Sequence, residues 1–218
     1  VRLADRLNWF ERRPLFGRRV LVARTRLQMS QLAAALRAYG ADVVELPTLR
    51  SRPVDPGPLV RALRELTSGC FSWVVFGSPQ VVEIVWDQLA VLGLDSRAMR
   101  AKICAHGPGT VEALRQRGIH PDWACPVDYA AAVASGLLER DVAGHDVFVP
   151  CIERHEVLGR DLREMGTRVR ELQVAQLDAE TSRSEDTEQL QALLDSRSLD
   201  ACVFPASRSI ERIAELLG

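Results

Sequence analysis

Five short stretches of this 218-residue chain combine groups suited to holding anions. They are Arg24-Thr25-Arg26, Gly77-Ser78-Pro79-Gln80, Gly107-Pro108-Gly109-Thr110, Glu153-Arg154-His155 and Ser207-Arg208-Ser209. Guanidinium groups bind carboxylates or phosphates through two parallel hydrogen bonds. A helix that opens at such a turn adds unpaired N–H groups and roughly half a positive charge. The chemistry is that of a site for a ligand with several acidic groups. The candidate binding residues are Arg24, Thr25, Ser78, Gln80, Gly107, Gly109, Thr110, Arg154 and Ser207. Taken singly, Ser78, Thr110 and Ser207 are better explained as helix caps. Their recurrence at one place in a repeating pattern is what points to binding.

That pattern is a short β-rich apolar run, a turn, and a helix-spaced stretch that stops at Gly. It appears as RRVLVARTRLQMSQLAAALRAYG, FSWVVFGSPQVVEIVWDQLAVLG, AKICAHGPGTVEALRQRG, HDVFVPCIERHEVLGRDLREMG and LDACVFPASRSIERIAELLG. The glycines are Gly40, Gly93, Gly118, Gly166 and Gly218, each placed where a left-handed residue ends a helix. Continuous apolar strands alternating with helices argue for parallel sheets covered on both faces, a doubly wound α/β architecture. In such folds ligands sit beyond the carboxyl ends of the strands, where all five turns fall. Two longer extended segments, ADVVELPTLRSRPV and TRVRELQVAQLDAE, precede the polar stretches DPGP and TSRSEDTEQ. They read as an outward and a return crossing between two lobes.

Composition narrows the function. Apolar residues are 47% and charged residues 26%, the balance of a globular protein. A net charge of −1 provides no basic field for nucleic acid. The cysteines are Cys70, Cys104, Cys125, Cys151 and Cys202, with no CxxC pair, which suits a reducing cytoplasm. Cys104, Cys151 and Cys202 sit in apolar runs and are expected to act as small hydrophobes. Neither these nor the four histidines have metal-ligand spacing, so no metal is expected. No apolar run is long enough to cross a bilayer, and no signal peptide is visible. GPGTVE carries the first two glycines of a dinucleotide fingerprint but has Glu112 in the third position. There is no P-loop, no GxSxG, and no acidic cluster after VLVARTR.

The segment PLFGRRVLVARTRLQMSQLAAALRAYGADVVELPTL resembles the opening of uroporphyrinogen-III synthases. WVVFGSPQVVEIV, KICAHGPGTVEALRQRGIHPD, DYAAAVASGLLE and HDVFVPCIERHEVLGRDLREMGTRVRELQV follow in that family's order, from about Pro14 to Gly218. The resemblance implies two α/β domains joined by a two-stranded connector, with the active site in the cleft between them. Residues 15–50 and 178–218 would form a discontinuous first domain and residues 51–177 the second. It further implies a cytoplasmic, monomeric enzyme with no metal or organic cofactor. Its substrate would be hydroxymethylbilane, a linear tetrapyrrole rich in carboxylates, cyclised with loss of water and inversion of the last ring. The protein's work would be to hold a flexible chain in ring-closing geometry and to help the hydroxyl depart.

Several residues depart from the family pattern. Its connector Tyr, associated with loss of the hydroxyl, falls on Ala175. Gly77 replaces a Thr, Pro205 and Ala206 replace a Thr-Ser-type turn, Cys151 follows Pro150 where an Arg is usual, and His106 replaces an apolar residue. His106 is expected to be structural. The resemblance also implies a further strand, turn and helix beyond Gly218 that complete the first domain. Residues 1–14, VRLADRLNWFERRP, resemble the tail of a uroporphyrinogen-III methyltransferase, which makes a fused methyltransferase the expected partner. The chain begins with Val and is expected to be a piece of a longer protein. Two alternatives stay open: a degenerate module that binds a tetrapyrrole or other polyanion without turnover, and an unrelated nucleotide-binding domain.

Overall fold

The computed structural model describes residues 11–126, 130–140, 142–152, 156–179, 184–204 and 207–217. Five of its β–α pairs are those read from the pattern. They are β1 (Arg19–Thr25) with α1 (Arg26–Ala38), β3 (Trp73–Phe76) with α3 (Pro79–Val91), β4 (Lys102–His106) with α4 (Pro108–Gln116), β6 (Asp146–Cys151) with α6 (Glu156–Glu164), and β9 (Ala201–Val203) with α8 (Ser207–Leu217). Gly40, Gly93, Gly118 and Gly166 have positive φ, as a helix stop requires, whereas Gly218 lies outside the described residues.

The remaining elements are β2 (Asp42–Pro53), α2 (Gly57–Ser68), β5 (Trp123–Cys125), α5 (Ala130–Leu138), β7 (Arg168–Gln173), β8 (Ala175–Ala179) and α7 (Ser184–Asp195). The polar stretches that follow the two crossings therefore run into helices. In α2 the buried residues Leu59, Ala62, Leu63 and Leu66 recur at helical spacing. The return crossing is also not one strand. It breaks at Val174, with β7 in one sheet and β8 in the other.

The chain divides into two compact units, one running to Ser51 and resuming at Leu177, the other spanning Arg52–Gln176. The second unit holds a five-stranded sheet of order β5-β4-β3-β6-β7, with every recorded pairing parallel. Its three central strands, β3, β4 and β6, are largely buried on both faces, while the edge strands β5 and β7 are partly exposed. Val74 and Phe76 of β3 pack with Leu63, Val82 and Leu114 on one side, while Trp73 and Val75 pack with Leu137 and Leu162 on the other. The first unit holds a four-stranded sheet of order β8-β2-β1-β9. There Val20 and Val22 face Ala33 of α1, and Leu21 and Ala23 face Leu190 of α7 and Ile213 of α8. Alternation of buried residues to both faces is what a doubly wound parallel sheet demands. No helix among the described residues is long and apolar enough to cross a membrane.

Among the cysteines, Cys104, Cys125 and Cys151 are buried, and burial pushes the Cys104 thiol far above its ordinary value. Cys202 departs from expectation. It is exposed on β9, whose only strand neighbour among the described residues is β1.

Candidate functional site

Strand order points to a candidate site in the second unit. From β3 the chain steps outward to β4 and β5, then returns to β6 on the other side of β3 and continues to β7. The reversal lies between β3 and β6, which pair through Trp73–Val147 and Val74–Phe148. Ligands of open α/β sheets bind beyond the strands' carboxyl ends at such a reversal. The turn after β3 borders that point, and the turn after β4 stands beside it, because Phe76 and Ala105 are register partners.

The two turns are built alike. Ser78 is extended (φ −159°, ψ 156°) and its Oγ accepts from the Val81 N–H at 3.4 Å, capping α3. Pro79 then opens the helix, where its missing N–H costs nothing. Gly107 caps α4 at φ 80° and ψ 154°, a backbone region open essentially to glycine alone, and Pro108 follows. The helix starts touch. A Cβ placed on Gly109 would stand 3.3 Å from Pro79 Cγ, so Gly109 lets the two N-termini lie side by side. Gln80 and Thr110, second or third in their helices, are buried polar residues at 4% and 1% exposure. Ser78, Gln80, Gly107, Gly109 and Thr110 are thereby brought to one rim.

In the first unit, β1 ends at Arg24 and Thr25, and β9, paired with β1 through Val22 and Val203, leads to α8 at Ser207. These three candidates lie at the carboxyl end of one sheet. Their side chains, and all of Arg154 and Pro205, fall outside the described residues.

Charge is arranged asymmetrically. The first turns of α1, α3, α4 and α8 contain no acidic residue, although acids are favoured there. Their positive ends are left for something else to neutralise. By contrast α2 is neutralised locally, since Asp55 Oδ1 accepts from the Gly57 N–H at 2.9 Å.

The departures from the family pattern have definite places. Gly77 is exposed between β3 and Ser78. Cys151 is buried, and its Sγ lies 3.5 Å from the Leu172 carbonyl of the neighbouring strand. His106 is half-buried at the end of β4. Ala175, the first residue of β8, is 1% exposed, and its methyl group has no proton to give.

One feature of this end of the sheets was not foreseen. Along β1 and β2 the register runs Arg24–Pro47 and then Thr25–Leu49, so Thr48 is an extra residue bulged out of the pairing. It is 0% exposed, and its Oγ1 has no hydrogen-bond partner among the described residues. The only sequence signal was a polar residue within the apolar run VVELPTL.

The fold and this sequence have known counterparts. A curated uroporphyrinogen-III synthase from Synechococcus elongatus is 28% identical over 94% of this chain and 76% of its own length. A porphyrin biosynthesis protein HemD from Ruminiclostridium josui is 30% identical over 63% of this chain. A uroporphyrinogen-III C-methyltransferase from Bacillus subtilis is 32% identical over 53%. The matched parts make up 27% and 24% of the latter two proteins. Among solved structures, a mutant uroporphyrinogen III synthase from Thermus thermophilus superposes with a TM-score of 0.58 at 20% identity, covering 90% of this chain and 76% of that one. The Helicobacter pylori uroporphyrinogen-III synthetase gives 0.53 at 14%, covering 92% and 79%. At such identities the likeness is one of fold. The family model described as Uroporphyrinogen-III synthase HemD matches residues 30–218, and on that match the chain belongs to the uroporphyrinogen-III synthase family.

Proposed function

We propose that this chain binds hydroxymethylbilane and closes it to uroporphyrinogen III, with loss of water and inversion of the last pyrrole ring. The observation that carries the proposal is the set of helix N-termini without first-turn acids, those of α1, α3, α4, α5 and α8, at the carboxyl ends of the two sheets. N–H groups and helix dipoles there suit the carboxylates of a tetrapyrrole. Ser78, Gln80, Gly107, Gly109 and Thr110 form the binding rim of one unit, and Arg24, Thr25 and Ser207 that of the other, with Arg154 added from the turn after β6. Holding a flexible bilane at fixed anchors favours ring closure by lowering its entropic cost. The fixed dipoles also stabilise charge that develops as the hydroxyl departs.

A second reading, a tetrapyrrole-binding module without turnover, is favoured by one observation. The position at which the resemblance implies a Tyr carries the buried methyl group of Ala175. The experiment is cyclisation of hydroxymethylbilane by the full-length protein, with separation of product isomers. Uncatalysed closure gives isomer I. Enrichment in isomer III supports the enzyme. Saturable binding with a product ratio equal to the blank supports the module, and absence of binding removes both. The full-length protein also tests the proposed methyltransferase partner, by whether the two activities reside on one chain.

A further inference from the structure

Burying a hydroxyl without a hydrogen bond costs free energy comparable to a lost hydrogen bond. Such groups are rare in folded proteins, and each calls for a reason. Thr48 has none among the described residues, where its Oγ1 is buried and unpartnered. A valine there would fill nearly the same space without a polar group. A second feature coincides with it. Thr48 is the extra residue of a bulge in a parallel strand pair, where bulges are uncommon. Bulges re-aim side chains and collect beside functional sites. The place is also informative. The bulge lies opposite Arg24 and Thr25, immediately before α1 begins at Arg26. This is a strand's carboxyl end next to a helix N-terminus with no first-turn acid.

We infer that Thr48 is a binding residue whose hydrogen-bond partner arrives with the ligand: its hydroxyl donates to a carboxylate of the tetrapyrrole held at the β1–α1 end, and the bulge turns it to do so. The inference rests on the function proposed above and adds a group that the turn residues do not supply. Because Thr48 is 0% exposed, the incoming carboxylate displaces the atoms that cover it. The residue therefore trades stability of the free protein for affinity.

The test compares wild type, Thr48→Val and Thr48→Ser. Uroporphyrin III serves as the polycarboxylate probe in fluorescence titration, and each protein is also melted without ligand. Thr48→Val is expected to melt no lower than wild type and to bind the probe roughly tenfold more weakly or worse, since a hydrogen bond to a charged group is lost. Thr48→Ser, which keeps the hydroxyl, is expected to bind within a few-fold of wild type. Two results overturn the assignment. One is Thr48→Val binding as tightly as wild type; the other is Thr48→Val melting lower without ligand, which would mean a structural partner for the hydroxyl. If wild type itself fails to bind uroporphyrin, the proposed function is what falls, and the Thr48 assignment falls with it. If wild type binds and Thr48→Val binds equally well, only Thr48 is removed from the site.

Discussion

Thr110 shows how a single side chain separates capping from binding. It lies third in α4 rather than at its cap, which Gly107 occupies, and it is 1% exposed. Replacing it with Val keeps its shape while removing one hydroxyl. If its role is to hold a tetrapyrrole carboxylate, affinity for uroporphyrin III drops several-fold while melting changes little; equal affinity would take Thr110 out of the site. Ser78 is different, because its Oγ caps α3 through Val81. Ser78→Ala therefore costs about 1 kcal/mol of stability as well, measurable by urea unfolding. Sequence reading found both residues because hydroxyls beside Gly-Pro or Ser-Pro turns mark strand-to-helix junctions. It passed over Thr48 because nothing local distinguishes a bulged threonine from one in regular pairing. That distinction depends on a neighbouring strand whose register is not written in VVELPTL.

Packing between elements sets other requirements. Trp123 on β5 lies against α5 so closely that a Cβ on Gly136 would stand 2.2 Å from its ring. The Arg140 guanidinium covers the same ring at 4.5 Å and donates to the Gly136 carbonyl at 2.6 Å. Gly136→Ala must move the ring or the helix. Overpacking costs typically about 1–3 kcal/mol, more than the helix propensity alanine restores, about 1 kcal/mol. The expected result is a net loss of stability in urea unfolding, and an unchanged midpoint would show that the ring moves freely. At the site, Gly109→Ala would press on Pro79 and part the two helix starts by a few tenths of an ångström. The five repeated strand–helix pairs were legible because their apolar periods and glycine stops agree with one another. The strand β5 was not, since three residues carry no period. α2 was hidden by the polar DPGP before it, although Leu59, Leu63 and Leu66 carry its helical spacing. The break of the return crossing at Val174 follows from membership of two different sheets, which no local residue announces.

Across the molecule, the two ends of the strands differ in charge, although α6 opens on Glu156. The amino ends are closed by ion pairs: Arg18–Asp200 at 2.8 Å, Arg19–Asp42 at 2.6 Å and Arg168–Asp146 at 2.6 Å. At the carboxyl ends, α1, α3, α4 and α8 have no acid in the first turn. Binding of a polycarboxylate should accordingly weaken as salt is raised, through screening. The amino-end pairs predict an acid response. The hydrogen bonds from Arg168 hold the Asp146 carboxyl below its usual range. Its folded value is the lower one, so this stabilisation is complete above about pH 4 and is lost as pH falls through the depressed folded value. Asp146→Asn is therefore expected to melt slightly lower than wild type at neutral pH, with the difference vanishing in strong acid. A difference that persists in acid would assign the effect to something other than charge. With both partners exposed to solvent, the effect is small.

The interleaving of the two units also fixes an order of events. The second unit is one uninterrupted stretch, Arg52–Gln176, while the first needs the chain before Ser51 and the chain after Leu177. During synthesis every strand of the five-stranded sheet leaves the ribosome before β9, which flanks β1, has been made. Contacts between distant parts of a chain form slowly, because their loop closes first. On refolding, amides of β3, β4 and β6 should gain protection from deuterium exchange ahead of those in β1. Until then the early half of the first sheet waits as an unfinished strand pair, and that interval is when this protein is most exposed to aggregation.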